Sequence, residues 1–509
     1  MATQLASKTT RREALRTLGR FGAGGTAMAL LAACGGPVSA TATVASTAAS
    51  QPVASSAATT AATSVASSSA AAVSVVTTAA STASAASSAA AAVAAVASAP
   101  GSAGVTLNFL HWWTVAVSAN DPAYMAWAFA EFKKRSGITV NPIEAKPVGD
   151  TYTKFVAGVM AGDPPDVSFT SVVYGRDMYD QGLVAELDSY VAKAPDVQDD
   201  KYFAASKQFR QARGHTFGIP VMGPESLCLG INQDLFKAAS LDPQGADIKT
   251  WDDLVRVAQK LTKTGADGKV TVSGLAMPNS MDLATFTGFV ESTGHPLYDA
   301  EQNAAYFNAP ETVAALQYLT DLANKHNVSP PLSQQDRAGG EAALVAGTAA
   351  MEFDESAMGA FATITKATNL KWWMAPYPQA PTGKGPATVT WINFTVMPKN
   401  GKHPAEAFEF LRFFCGPDAA LKKLEMLNAV APRLDLYTTP QWAGVVKALP
   451  AQQMIPEIAK LPGVYPYHHN ADQGKQVVPL LAKAYQGQMD VKSALDEAQR
   501  LADTIFAQK

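Results

Sequence analysis

Cysteine is nearly absent from this chain: 509 residues hold three, Cys34, Cys228 and Cys415, which excludes a disulfide-built scaffold. Cys228 and Cys415 each stand inside an apolar run, beside Leu227 and Leu229 and beside Phe413 and Phe414, and read as small buried hydrophobes. Charge and aromatics are missing altogether from residues 38–104, which contain Ala, Ser, Thr and Val with a few Gly, Pro and Gln. Such a tract cannot bury enough side-chain area to offset its ordering entropy, so it is expected to be a disordered tether and not a domain. A long basic run is also lacking, and a net formal charge of −3 has the wrong sign for a nucleic-acid binder. Two catalytic signatures are missing: there is no Gly-x-Ser-x-Gly nucleophile elbow and no His-Glu-x-x-His zinc helix. His468 and His469 are adjacent, which does not place two imidazoles on one helix face, and neither a metal nor a cofactor is expected.

What does stand at the N-terminus is an ordered signal. Thr10-Arg11-Arg12-Glu13-Ala14 gives a basic start, residues 21–33 an uncharged stretch, and small residues precede Cys34. Residues 1–33 are therefore expected to be a signal peptide, the apolar part being shorter than the roughly 20 residues that span a bilayer. The paired arginines resemble a twin-arginine export signal, with Ala14 where that signal usually carries a bulky apolar residue. Leu31-Ala32-Ala33-Cys34 resembles the lipobox of bacterial lipoproteins, which implies a diacylglyceryl group on Cys34 and an extracytoplasmic protein anchored to the cell membrane. Residues 34–104 would then be a coil spanning on the order of 45 Å r.m.s.. Removal of everything before Cys34 takes away Lys8, Arg11, Arg12, Arg16, Arg20 and Glu13 and turns the net charge of −3 into −7.

The remaining part, 105–509, is long enough for two lobes with a core each. Strand patterns at 105–110, 138–142 and 166–170 alternate with helical spacing at 124–136 and 150–161, a βαβ beginning. An apolar strand at 217–221 then runs into Gly223-Pro224, where a bend with a carboxylate, Glu225, is expected before a second apolar run, 227–231. Past this connector the alternation restarts. Thr250-Trp251-Asp252-Asp253 carries an N-cap and an acidic first turn for a helix reaching 262, strands are expected at 274–277, 347–354, 370–377 and 388–398, and helices at 284–293, 311–324, 336–346, 404–414, 418–428, 440–449, 476–486 and 491–506.

The connector, Asn232-Gln233-Asp234-Leu235-Phe236, Thr250 to Leu254, Gly347 to Met351, Ala407 to Leu411 and Ala431-Pro432-Arg433 occur in an order that resembles the extracellular solute-binding proteins of the maltose-binding type, receptors of ABC sugar importers. The resemblance covers essentially all of 105–509. It implies an α/β, two-lobed periplasmic-binding-protein-like fold of type II, with lobes joined by hinge crossovers: one lobe of 105–222 and 388–436, the other of 223–387 and 437–509. It implies a carbohydrate, mono- or oligosaccharide, held in the interlobe cleft by a monomer and passed to ABC permease subunits. Glu225, seven residues before Asn232, matches the place of the family's cleft glutamate, and Trp112 and Trp113 fall at the first-strand end that supplies ligand contacts. The next such loop carries charged sugar contacts in maltose receptors but offers Thr170, Ser171 and Tyr174 here, which leaves the sugar open.

Sugars present hydroxyl edges and C–H faces, so a receptor needs aromatic plates with a few carboxylates and amides. Trp112, Trp113, Tyr174, Trp391 and Tyr465 are candidate plates; Glu225, Asp354, Asn279 and Asn393 are candidate edges; Arg433 either reaches the ligand or braces the hinge. For each aromatic alone core packing is the better reading, Trp112 and Trp113 standing out because neighbours on a strand point to opposite faces, and Trp372-Trp373 is assigned to packing. Two other classes remain: a secreted glycoside hydrolase, which would use two carboxylates across a cleft such as Glu225 and Asp354, and a passive surface interaction protein, which only the tether and anchor favour.

Overall fold

The computed structural model describes residues 104–112, 121–145, 148–299, 302, 304–334, 339–354, 367, 369–427, 429–462 and 470–507. Cys34, Trp113, Tyr465, the His468-His469 pair and the expected signal and tether segments lie outside the described residues, as does the side chain of Asp354.

The apolar runs near the start of the folded part make a five-stranded sheet in the order β2-β1-β3-β8-β4: β1 Thr106–His111, β2 Thr139–Glu144, β3 Val167–Thr170, β4 Ile219–Ser226 and β8 Thr390–Val396. β1 pairs in parallel with β2 and β3, through the helical crossovers α1, Asp121–Ser136, and α2, Val148–Ala161. β8 runs antiparallel to both β3 and β4. Neighbouring residues of β1 feed different cores, because successive side chains leave a strand on opposite faces. Phe109 joins a cluster with Phe132, Phe410 and Phe414, and Leu110 joins one with Phe155, Phe217 and Phe394.

A second, three-stranded antiparallel sheet has the order β6-β5-β7, from β5 Cys228–Asn232, β6 Met351–Asp354 and β7 Trp372–Ala375. Its core packs those strands against α4 Trp251–Leu261, α5 Leu283–Glu291, α6 Pro310–Asn324, α11 Val478–Tyr485 and α12 Val491–Phe506. Trp372 and Trp373 are both buried there, as are Cys228 and, in the first half, Cys415 as free thiols. Thr250 accepts from the Asp253 amide while the Asp253 carboxylate accepts from the Thr250 amide, a capping box that fixes the start of α4. Between β8 and α11 come α7 Pro404–Phe414, α8 Pro417–Leu427, α9 Pro440–Ala448 and α10 Asn470–Gln476.

Three expectations are corrected. Gly223-Pro224 does not bend the chain out of the sheet: β4 continues through it to Ser226, and a bulge against Trp391 and Asn393 of β8 absorbs the irregularity. The helix expected at 476–486 is present as α11 but starts at Val478, with Pro479 in its first turn, where the missing amide costs no helical bond, and Gln476 belongs to the separate α10. Residues 274–277 form no full strand. Their amides are divided, Leu275 donating to Val328 (3.3 Å) and Ala276 to Met351 (2.8 Å), and Gly274 is pressed so closely on α4 that a Cβ there would lie 1.8 Å from the Ala258 carbonyl oxygen. Gly274→Ala is therefore expected to cost about 3 kcal/mol of stability, read as a fall in the urea midpoint with unchanged slope.

Candidate functional site

The two sheets are joined by strands that cross side by side. β4 leads through Leu227 directly into β5, and the Leu227 amide donates to Val389 (2.9 Å). Thr388 Oγ1 returns a bond to the Leu227 carbonyl (2.6 Å), and the hydroxyls of Ser226 and Thr390 meet at 2.7 Å. Next to this crossing Glu225 stands opposite Trp391 in register, and the indole hydrogen-bonds its carboxylate. Glu225 is only 8% exposed. Burial pushes its carboxyl up to about 7, the bond from Trp391 pulling the other way. Trp391 is half-buried and packs against the core of the second sheet and against the Leu110–Phe394 cluster of the first, so it spans the junction.

Beside that junction α3, Val172–Asp180, begins at Ser171, whose hydroxyl accepts from the Val173 amide. α3 reaches β8 because Gly175 and Gly218 leave room for the Phe394 ring: a Cβ at either would come within 2.0 or 2.5 Å of it. The first turn of α3 holds Tyr174, half-buried and stacked on Tyr152 of α2 with centroids 5.0 Å apart and planes at 18°. Tyr152, Tyr174 and Trp391 all fringe the same apolar cluster. One turn beyond Tyr174 is Asp177, whose carboxyl is pushed up to about 7 by burial, then by the charges of Asp180 and Asp472, with Arg176 opposing.

The other candidates are placed differently. Thr170 is buried, its hydroxyl against Met178 Sδ (3.5 Å) and the Ser171 carbonyl (3.4 Å). Trp112 follows the end of β1 instead of lying on it, and stacks on Phe169 with centroids 4.0 Å apart, beside the Phe109 cluster. Asn393 is buried opposite Met222 at the bulge. Asn279 is half-buried beside α11, its carbonyl accepting from Gln486 (2.9 Å). Asp354 ends β6 opposite Cys228.

Arg433 braces a third connection. It is 1% exposed, donates to both carboxylate oxygens of Asp435 (3.0 and 2.7 Å) and to the carbonyls of Asp196 (2.8 Å) and Cys415 (3.4 Å), and lies over the Tyr202 ring. Its neighbours Val430, Ala431 and Leu436 pack into the second core, whereas Cys415 belongs to the first. On the same side Lys423 of α8 donates to the Val221 carbonyl of β4, its ammonium lowered to about 8 by burial.

Tyr152, Asp177 and Asp472 were not singled out from the sequence. Asp177 had a usable signal, since it follows Tyr174 by three residues on one helix face; Tyr152 is brought beside Tyr174 only by the tertiary fold, and Asp472 bears on Asp177 only as a charge that raises its carboxyl. Among the described residues, one group of His and carboxylate side chains could share an ion, Glu186, Asp188 and His215, all three exposed.

The family model of bacterial extracellular solute-binding proteins matches residues 115–421. The arabinooligosaccharide-binding protein of Bacillus subtilis is 25% identical over 305 residues, 58% of this chain; the match spans 66% of that protein's length. Among solved structures, the cyclic α-maltosyl-1,6-maltose binding protein of Arthrobacter globiformis superposes with a TM-score of 0.65 at 20% identity, over 80% of this chain and 100% of that one. An ABC substrate-binding protein of Listeria monocytogenes in complex with cycloalternan gives 0.63 at 19%, over 80% and 100%. UgpB of Mycobacterium tuberculosis with glycerophosphocholine gives 0.64 at 17%, over 79% and 98%.

Two outcomes follow from the geometry. The carboxyl of Glu225 titrates higher folded, about 7, than its ordinary 4.5, so it costs nothing at low pH and its ionisation penalty grows as pH rises from about 4.5 to about 7. Glu225→Gln is expected to match the parent at pH 4 and to exceed its unfolding free energy at pH 8 by on the order of 2–3 kcal/mol, measured by denaturant titration at both pH values. Arg433→Ala is expected to cost about 3 kcal/mol, because it leaves buried carbonyls unpaired and strips the Tyr202 ring; a change below 0.5 kcal/mol in the same assay would remove its role as a brace.

Proposed function

The chain belongs to the bacterial extracellular solute-binding protein family, and from that premise we propose that it is the receptor of an ABC importer, which takes a carbohydrate between its two halves and presents it to a membrane permease. The fold is the two-lobed α/β architecture of such proteins. The observation that carries the ligand class is the Glu225–Trp391 pair at the crossing strands, with the stacked Tyr152 and Tyr174 fringing the same apolar cluster. Aromatic faces suit the C–H faces of a pyranose or furanose ring, and a buried carboxylate suits its hydroxyl donors. The relatives named for arabinooligosaccharides and cyclic maltosyl sugars support the same class.

In this reading the lobes are 105–222 with 388–436 and 223–387 with 437–509, each around one sheet. Packing of Ala420, Leu424, Val430, Ala431 and Leu436 into the second core supports a third crossing somewhat earlier in the chain than 436. Ligand contacts from both lobes stabilise the closed form, a hinge motion confined to a few residues at the crossings. Trp112, Trp113, Asn279, Asp354, Asn393 and Tyr465 join as further contacts on closure, while Thr170 and Arg433 support from behind. The family is one of binding proteins, and no turnover of the sugar is proposed. The protein works outside the cytoplasm as a monomer, exported by the signal peptide of 1–33, held by lipid on Cys34 and set off from the membrane by the tether of 34–104. No described helix is long and apolar enough to cross a membrane.

A thermal-shift panel of mono- and oligosaccharides tests this. A true ligand at 100 times its dissociation constant adds about 2.7 kcal/mol to the native state, a rise of several degrees, and Glu225→Ala and Trp391→Ala are each expected to weaken the hit at least tenfold by calorimetry. Affinity within twofold of the parent in both variants would remove the site, and release of shorter sugars by the purified protein would make it an enzyme.

A further inference from the structure

Resting on the carbohydrate reading, we propose that the site selects oligosaccharides over monosaccharides, holding one unit at Glu225 and Trp391 and laying further units along Tyr174 and Tyr152. Two aromatic surfaces border one apolar cluster, and strand β8 sets the spacing between them. Trp391 stands near the start of β8, in register with Glu225. Three residues on is Phe394, whose ring fills the space left by Gly175 of α3; a Cβ on Gly175 would lie 2.0 Å from it. Tyr174 directly precedes Gly175, so its backbone is set beside Phe394 and not beside Trp391. Three residues of extended strand cover about 10 Å, further than one sugar ring reaches by face contact. Tyr152 of α2, its centroid 5.0 Å from that of Tyr174 and its plane within 18°, adds a second ring to the distant surface.

The two surfaces offer different things. At the crossing strands an indole face comes with a buried carboxylate, so one sugar unit is held by its face and by its hydroxyl edge. At the tyrosine pair the hydroxyl ends are engaged by the protein. Tyr152 Oη accepts from Gln181 (3.0 Å), and Tyr174 Oη is seated against the first turn of α2, where a Cβ on Gly149 would come within 3.2 Å of it. Both rings are half-buried and keep an open part. They supply ring face to a unit brought there by the chain, and a monosaccharide seated at Glu225 does not reach them. The first unit has already met the entropic cost of association, so contacts made by units joined to it add to affinity.

The experiment is calorimetric titration of the full chain with matched mono-, di- and trisaccharides of the arabinose, glucose and mannose series. In the series that binds, the trisaccharide is expected to bind at least tenfold more tightly than the monosaccharide. In Tyr152→Ala and Tyr174→Ala that ratio is expected to fall at least threefold, whereas Trp391→Ala weakens both sugars and keeps the ratio within twofold. Where the monosaccharide gives no heat, the disaccharide takes its place in the ratio. A ratio of two affinities is unmoved by a partial loss of folded protein. A monosaccharide that binds within threefold of its trisaccharide, or a ratio unchanged in both tyrosine variants, overturns the proposal while leaving the carbohydrate reading intact. Failure of every saccharide to bind overturns the carbohydrate reading itself.

Discussion

Two strands must cross between two sheets side by side, and most of the structure follows from that constraint. Ser226 and Leu227 on one crossing are tied to Thr388, Val389 and Thr390 on the other by backbone and hydroxyl bonds. One residue before this seam, the register sets Glu225 against Trp391. An acid is thereby buried where the chain passes from one core to the next, with an indole as its hydrogen-bond donor. A group of that kind costs stability near neutral pH, where burial opposes its ionisation. Each sheet keeps its own core, so relative movement of the halves need disturb only the seam and the third connection, where Arg433 ties Asp435 to the carbonyls of Asp196 and Cys415.

The elements legible in the sequence were those whose signals are local. Thr250 to Asp253 announced α4 because a capping box is written in four consecutive residues, and the stripe of Leu495, Ala498 and Ile505 announced α12. Gly223-Pro224 was misread for the same reason: as a local signal it means a bend, and only the partner strand β8, more than 160 residues away, turns it into a bulge. The site was legible to the same degree. Glu225, Tyr174 and Trp391 stood out as single residues, but the Tyr152 stack and the distance at which α3 is set against β8 belong to the tertiary fold. That distance is fixed by two glycines, Gly175 and Gly218, each pressed on one Phe394 ring. Arg433 was ambiguous from its neighbours alone, and four hydrogen bonds, to Asp435 and two carbonyls, settle its place as buried support.

The fold by itself does not choose the ligand: solved structures that share it hold molecules as different as cycloalternan and glycerophosphocholine.

The most direct measurement is a crystal structure of the protein with a saccharide that raises its melting temperature. The account expects a sugar ring against Trp391 or Tyr174 with a hydroxyl on the Glu225 carboxylate. A saccharide bound away from the crossing strands, with Glu225 and Trp391 untouched, would contradict it.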